Sequence, residues 1–124
     1  MNNIQKKRAL IVEDEPDLSA VFVNLLDIFG VQCKVAENAF MAKKSVTEEK
    51  FDFLIIDLTL PDESGIDLYK DMVLSHPEYR GNAIFTSGMN VTEDLSKIMR
   101  DDGISFLAKP FSIENLKKEL EKLL

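Results

Sequence analysis

The chain has 124 residues, which suits a single domain spanning 1–124 and leaves little room for two. Its 15 basic and 22 acidic side chains give a net charge of −7, a sign that opposes direct nucleic-acid binding because a phosphate backbone needs an attracting field. A hydrophobic share of 45% supports a real core, yet no apolar run approaches the roughly 20 residues of a membrane span, and one cysteine excludes an internal disulfide.

From the amino end, MNNIQKKRALIVEDE has basic residues, but its apolar stretch is short and ends in acids. It does not read as a signal peptide, so the protein is expected to be cytoplasmic with no membrane association. Ala9–Val12 reads as a first strand. Leu18, Val21, Phe22, Leu25, Leu26 and Phe29 then fall on one helix face, with Gly30 as a natural stop. Val31–Ala36 reads as a second strand, and Gln32 and Lys34 suit a sheet edge. Asn38 can cap a helix running to about Glu49, and Phe53–Ile56 is a third strand. Ser64 precedes a helix marked by Ile66, Tyr69, Met72 and Val73, and Ala83–Phe85 is a fourth strand. Asn90 and Glu93 form an expected capping pair for a helix carrying Leu95, Ile98 and Met99 that ends at Gly103. Ile104–Ala108 is a fifth strand, and Ser112 opens a last helix with Ile113, Leu116, Leu120 and Leu123 on one side. Strand and helix alternate five times, which implies a doubly wound parallel α/β sheet with helices on both faces.

Ligands in such a sheet bind beyond the carboxyl ends of the strands. Strand one delivers Glu13 and Asp14 there, strand three Asp57, strand four Thr86 and Ser87, and strand five Lys109. Three carboxylates in one place repel unless cations compensate, and Lys109 and a divalent metal are the available compensators. All-oxygen ligands suit a hard cation, and Mg2+ typically uses one or two carboxylates plus a substrate phosphate. Such a site recruits phosphate and leaves one carboxylate to attack it. Asp57, emerging from a buried central strand, is the expected nucleophile, with Ser87 donating to a phosphoryl oxygen and Lys109 balancing its charge.

These motifs together resemble a response-regulator receiver domain, the phospho-accepting module of two-component signalling. The resemblance covers the chain from LIVEDE to the last helix and rests on Glu13–Asp14, on DLTLP at Asp57, on FTSG at Ser87 and on KPF at Lys109. Pro61 and Gly65 stand where the family has a turn. The resemblance implies a flavodoxin-like strand order 2-1-3-4-5 and Mg2+-dependent (or Mn2+-dependent) phosphoryl transfer to Asp57. The donor it implies is a histidine kinase or histidine phosphotransfer protein. It adds the backbone carbonyl of Thr59 to the metal ligands Glu13, Asp14 and Asp57, and makes Ser87 (or Thr86 beside it) and Phe106 a switch pair. It further implies a cis bond before Pro110 that turns Lys109 into the cleft. Thr59 and Met89 take the positions that flank the phosphoryl group, where bulky Met89 is expected to slow hydrolysis. The readout surface is expected on the fourth helix, fifth strand and fifth helix, for a downstream protein target that this sequence does not name. A monomer or a phosphorylation-dependent dimer is compatible with it.

Other readings compete. A relay intermediate, or a receiver cut from a larger regulator, looks the same over these residues. A haloacid-dehalogenase-like phosphatase needs a second aspartate two residues after the nucleophile, and Thr59 stands there instead, unable to act as a carboxyl acid. A cofactor-binding flavodoxin needs a glycine-rich loop after a strand, and no such loop is present. The protein is therefore read as a signalling module that modifies itself, not as an enzyme with a small-molecule substrate. Cys33 is expected as a buried small hydrophobe and His76 as exposed. Phe40 and Met41 are expected to repack the second helix, with an exposed apolar patch as the alternative.

Overall fold

A computed structural model describes residues 6–88 and 90–124. Its elements are β1 (Arg8–Val12), α1 (Pro16–Ile28), β2 (Gln32–Ala36), α2 (Ala39–Glu48), β3 (Phe53–Asp57), α3 (Gly65–Ser75), β4 (Ala83–Ser87), α4 (Glu93–Asp102), β5 (Ser105–Ala108) and α5 (Ile113–Glu121), with a 3-10 turn at Pro77–Tyr79. All strand pairs are parallel, in the order β2-β1-β3-β4-β5. The expected fold class and order are thus present. Every residue of β3 and β4 is buried, which is why these strands read as unbroken apolar runs, whereas β2 at the edge keeps Gln32 exposed.

Alternation along the strands builds two cores. Leu10, Val12, Leu54, Ile56, Ala83 and Phe85 face α2, α3 and α4. Ala9, Ile11, Phe53, Ile55, Ile84 and Leu107 face α1 and α5. The helix ends follow capping chemistry. Asn38, Ser64 and Ser112 accept bonds from the amides of Met41, Asp67 and Asn115. Gly30, at φ 76°, lets the chain leave α1 with Gly30 N donating to Asp27 O and Val31 N to Leu26 O, closing a Schellman turn whose Leu26 and Val31 share one core.

Four expectations need correction. Thr92, not Asn90, caps α4, its hydroxyl accepting from Leu95 N at 3.2 Å; the helix starts at Glu93, so the cap falls two residues later than the Asn90–Glu93 pairing requires. Phe40 and Met41 do not repack α2, because its buried face is Ala39, Ala42, Ser45 and Val46; Phe40 is 73% exposed and Met41 40%. Cys33 is half-buried on the edge strand, where burial first and the Asp27 charge second push its thiol up to about 11. His76 is also half-buried, since the 3-10 turn folds Tyr79 to 6.1 Å from its ring. Met89 lies outside the described residues.

Candidate functional site

Asp57 is the last residue of β3 and is 4% exposed. Its Oδ1 accepts from Thr59 N at 2.9 Å, and its Oδ2 from Lys109 Nζ at 2.9 Å. The same ammonium reaches Glu13 Oε1 at 3.0 Å, while Glu13 Oε2 accepts from Glu15 N at 3.2 Å. Glu13 is buried just past β1, and Asp14 beside it is exposed. Carboxylate oxygens of Glu13, Asp14 and Asp57 lie within 4.8 Å of one another. The structure thus brings together the three acids and the amine expected from the sequence.

Burial raises the Glu13 carboxyl to about 7, with the Asp57 charge adding to it; the Glu15 amide and Lys109 pull the other way. Burial works to lower the Lys109 ammonium, but its bonds to Asp57 and Glu13 prevail and its pKa is raised. The lysine therefore stays charged and holds two acids apart from their mutual repulsion. The donor set fits a hard divalent cation, being all oxygen, net negative and open to solvent on the Asp14 side.

The loop after Asp57 is held on three sides. Thr59 pairs with Ser64 in an isolated antiparallel bridge, and Gly65 N donates to Leu58 O at 2.9 Å. Asp62 then reaches α2, accepting from Ala39 N at 2.9 Å and Phe40 N at 3.0 Å. Lys43 bonds Glu63 at 3.1 Å and Asp71 at 3.0 Å, which explains a lysine on that side of α2. None of these links across α2 was signalled by the sequence, since each joins residues about 20 or more positions apart.

Lys109 N donates to Ser87 O at 2.8 Å, tying the lysine loop to the end of β4, and the Lys109–Pro110 peptide is cis. Phe111 stacks on Phe22 of α1 with centroids 5.4 Å apart, anchoring the segment that carries the lysine. Ser87 is buried and shares its sheet face with Phe85, whose register partner is half-buried Phe106. Ser87 and Phe106 therefore sit on the α3–α4 side of the sheet, whereas Asp57 follows Phe53 and Ile55 on the α1–α5 side. Thr86, in register with Asp57, is on that second side.

Residues 9–121 match the family model described as the response regulator receiver domain. The transcriptional regulatory protein CitB of Klebsiella pneumoniae is 32% identical over 119 residues, covering 91% of this chain and 48% of its own length. This chain thus spans about half of that relative. The response regulator receiver protein CpdR of Brucella abortus is 29% identical over 118 residues, covering 95% of this chain and 97% of its own length. The response regulator protein TrrA of Thermotoga maritima, solved in complex with Mg2+–BeF, superposes with a TM-score of 0.81 at 24% identity, covering 95% of this chain and 99% of that one.

Proposed function

Because this chain belongs to the response regulator receiver domain family, we propose that it is a phosphorylation-controlled switch with Asp57 as its phospho-acceptor. The observation that carries the reading is the buried Asp57 carboxylate placed 2.9 Å from Lys109 within a three-carboxylate cluster. The phosphoryl donor is the phosphohistidine of a histidine kinase or of a histidine phosphotransfer protein. An Asp57 oxygen forms a P–O bond as the P–N bond to the donor imidazole breaks, and the imidazole keeps the electron pair and takes a proton.

Glu13, Asp14, Asp57 and the Thr59 carbonyl would hold Mg2+, or Mn2+ in its place, a choice supported by the Mg2+–BeF complex of the related TrrA. When bound, the cation neutralises charge on the phosphoryl oxygens. Lys109 adds a second positive group, aimed by its loop, and Ser87 donates a hydrogen bond from the end of β4. Thr59 backbone N–H and the Lys109 ammonium each hold one oxygen of Asp57, which fixes the orientation of the carboxylate. Phe106 shares a sheet face with Ser87, so movement of the serine toward the phosphoryl group is coupled to the packing of β5. The surface of α4, β5 and α5 then reports the state to a protein target, in the cytoplasm. The regulated output lies in a partner or in a further segment, since CitB is about twice this length and CpdR nearly the same. Among the described residues, no helix is long and apolar enough to cross a membrane.

The test is incubation with Mg2+ and acetyl phosphate, followed by intact mass. Wild type is expected to gain one phosphoryl group and Asp57→Asn none; an adduct on both proteins would place the acceptor elsewhere.

A further inference from the structure

Thr86 is buried at 1% exposure, and among the described residues its Oγ1 has no hydrogen-bond partner. Its carbonyl is used, accepting from Leu58 N at 2.9 Å, so only the hydroxyl is left over. An unpaired buried hydroxyl is a standing cost to the resting fold that an isosteric apolar side chain would not incur. Such a group calls for an explanation, and a second state of the same site can supply one.

The position of Thr86 indicates which state. It is the β4 residue in register with Asp57, and both follow residues of the α1–α5 core, Ile84 for one and Ile55 for the other. The two side chains therefore leave adjacent strands on the same face, with the strands about 4.8 Å apart. Lys109 emerges from the end of β5, yet its ammonium bonds Asp57 on β3 and Glu13 past β1. Its side chain must cross β4 to do so, over the strand end that carries Thr86. In the resting site Asp57 Oδ1 is taken by Thr59 N and Oδ2 by Lys109, so the carboxylate is already served. A phosphoryl group on Asp57 would bring three further anionic oxygens to this spot and draw Lys109 toward them.

We propose that the Thr86 hydroxyl is a further hydrogen-bond donor to the acyl phosphate formed on Asp57. It acts beside Ser87 but from the sheet face that Asp57 occupies. The inference rests on the phosphorylation reading above and deepens it. The resting fold carries the unpaired hydroxyl, and the phosphorylated state pairs it.

Two measurements on Thr86→Val and Thr86→Ser decide the matter. The valine keeps shape and loses the oxygen, so the unphosphorylated Thr86→Val protein should melt higher than wild type, by about 3 to 5 °C. With Mg2+ and acetyl phosphate, its phosphorylation should be slower by about tenfold, the value of one hydrogen bond to a charged acceptor. Thr86→Ser, which restores the hydroxyl, should phosphorylate within about twofold of wild type. A lower melting point for the valine variant would show that the hydroxyl already has a partner and would overturn the proposal. So would a valine variant as fast as wild type, or a serine variant as slow as valine. A wild type that takes no phosphate would overturn the phosphorylation reading and this inference together; equal uptake by wild type and valine overturns the inference alone.

Discussion

Gly65, the first residue of α3, lies directly against the backbone of Asp57. A methyl group on it would run into the Asp57 carbonyl oxygen and come within 2.7 Å of Leu58 Cα. Backbone atoms cannot swing aside as a flexible side chain can. At this first helical position Gly65→Ala should gain less than the about 1 kcal/mol that alanine gains over glycine in a helix interior. The clash opposes it with about 1–3 kcal/mol of overpacking. The clash is expected to win, lowering the urea midpoint and slowing phosphate uptake because the Asp57 loop is displaced. A midpoint at or above wild type would show that the loop yields without cost.

Lys109 is the only cation bonded to Glu13 and Asp57 among the described contacts. Lys109→Met keeps an apolar stem and leaves two buried carboxylates facing each other. Breaking a buried pair costs about 3–5 kcal/mol, and the lower figure applies because the lysine side chain is 20% exposed. The variant should unfold at lower urea near neutral pH, and Mg2+ should restore more stability to it than it adds to wild type. Equal Mg2+ stabilisation of both proteins would indicate that the cation does not settle among these acids.

The readable parts of this molecule are those where one residue's environment is set by its own strand. Leu54, Ile55 and Ile56 are buried on both faces, so they read as a central strand, and Asp57 stands out at the end because the run should have closed on a neutral residue. Lys34 and Gln32 marked β2 as an edge for the same local reason. What escaped depends on distant chain. Asn90 and Thr92 are both good cap residues, and the start of α4 at Glu93 makes Thr92 the cap. Phe40 has the composition of a core residue, but α2 is turned by the pairs Lys43–Glu63 and Asp62–Ala39, which no periodicity in α2 contains. Of the site, the acids and Lys109 were legible as strand-end residues; that Thr86 and not Ser87 stands beside Asp57 needed the register of β4 against β3.

Glu13 holds its proton up to about 7 in the metal-free chain, chiefly because burial disfavours the anion. Its folded value lies above the ordinary 4.5, so the folded chain binds this proton more tightly than the unfolded chain does. The stability this contributes is fully present below about 4.5 and is lost as the pH rises through about 7. A divalent cation requires the carboxylate and must expel the proton below that range. Apparent Mg2+ affinity should therefore fall as the pH drops from about 8 to about 5.5, approaching at most about tenfold per unit. Calorimetry in buffers of different ionisation heat should show proton release on Mg2+ binding near pH 6 and almost none near pH 8, as about 7 divides the two. Affinity flat across this range would mean that Glu13 is not among the groups that meet the metal.

Tyr69 ties three segments through one oxygen. Its hydroxyl donates to Asp102 Oδ2 at 2.7 Å at the end of α4 and accepts from Gly81 N at 3.1 Å in the turn before β4. Arg80 Nη1 holds the other Asp102 oxygen at 3.1 Å, and the Tyr69 ring packs edge-on against Phe85 at 5.1 Å. Burial first, with Asp102 adding, raises the phenol well above its usual value, so it remains a donor at any working pH. Tyr69→Phe keeps the ring contact and removes the bridge, leaving a backbone N–H and one carboxylate oxygen to find new partners. The expected loss is about 1–3 kcal/mol. Tyr79→Phe is the control: its hydroxyl serves one bond, from Phe51 N at 3.1 Å, and its loss should be smaller. Neither tyrosine bonds Asp57, Glu13 or Lys109, so both variants should still take phosphate from acetyl phosphate in Mg2+ at conditions where they are folded. Urea melts with unchanged slope and a larger midpoint shift for Tyr69→Phe than for Tyr79→Phe would locate the extra stability in the α3–α4 bridge; equal shifts would remove the case for it.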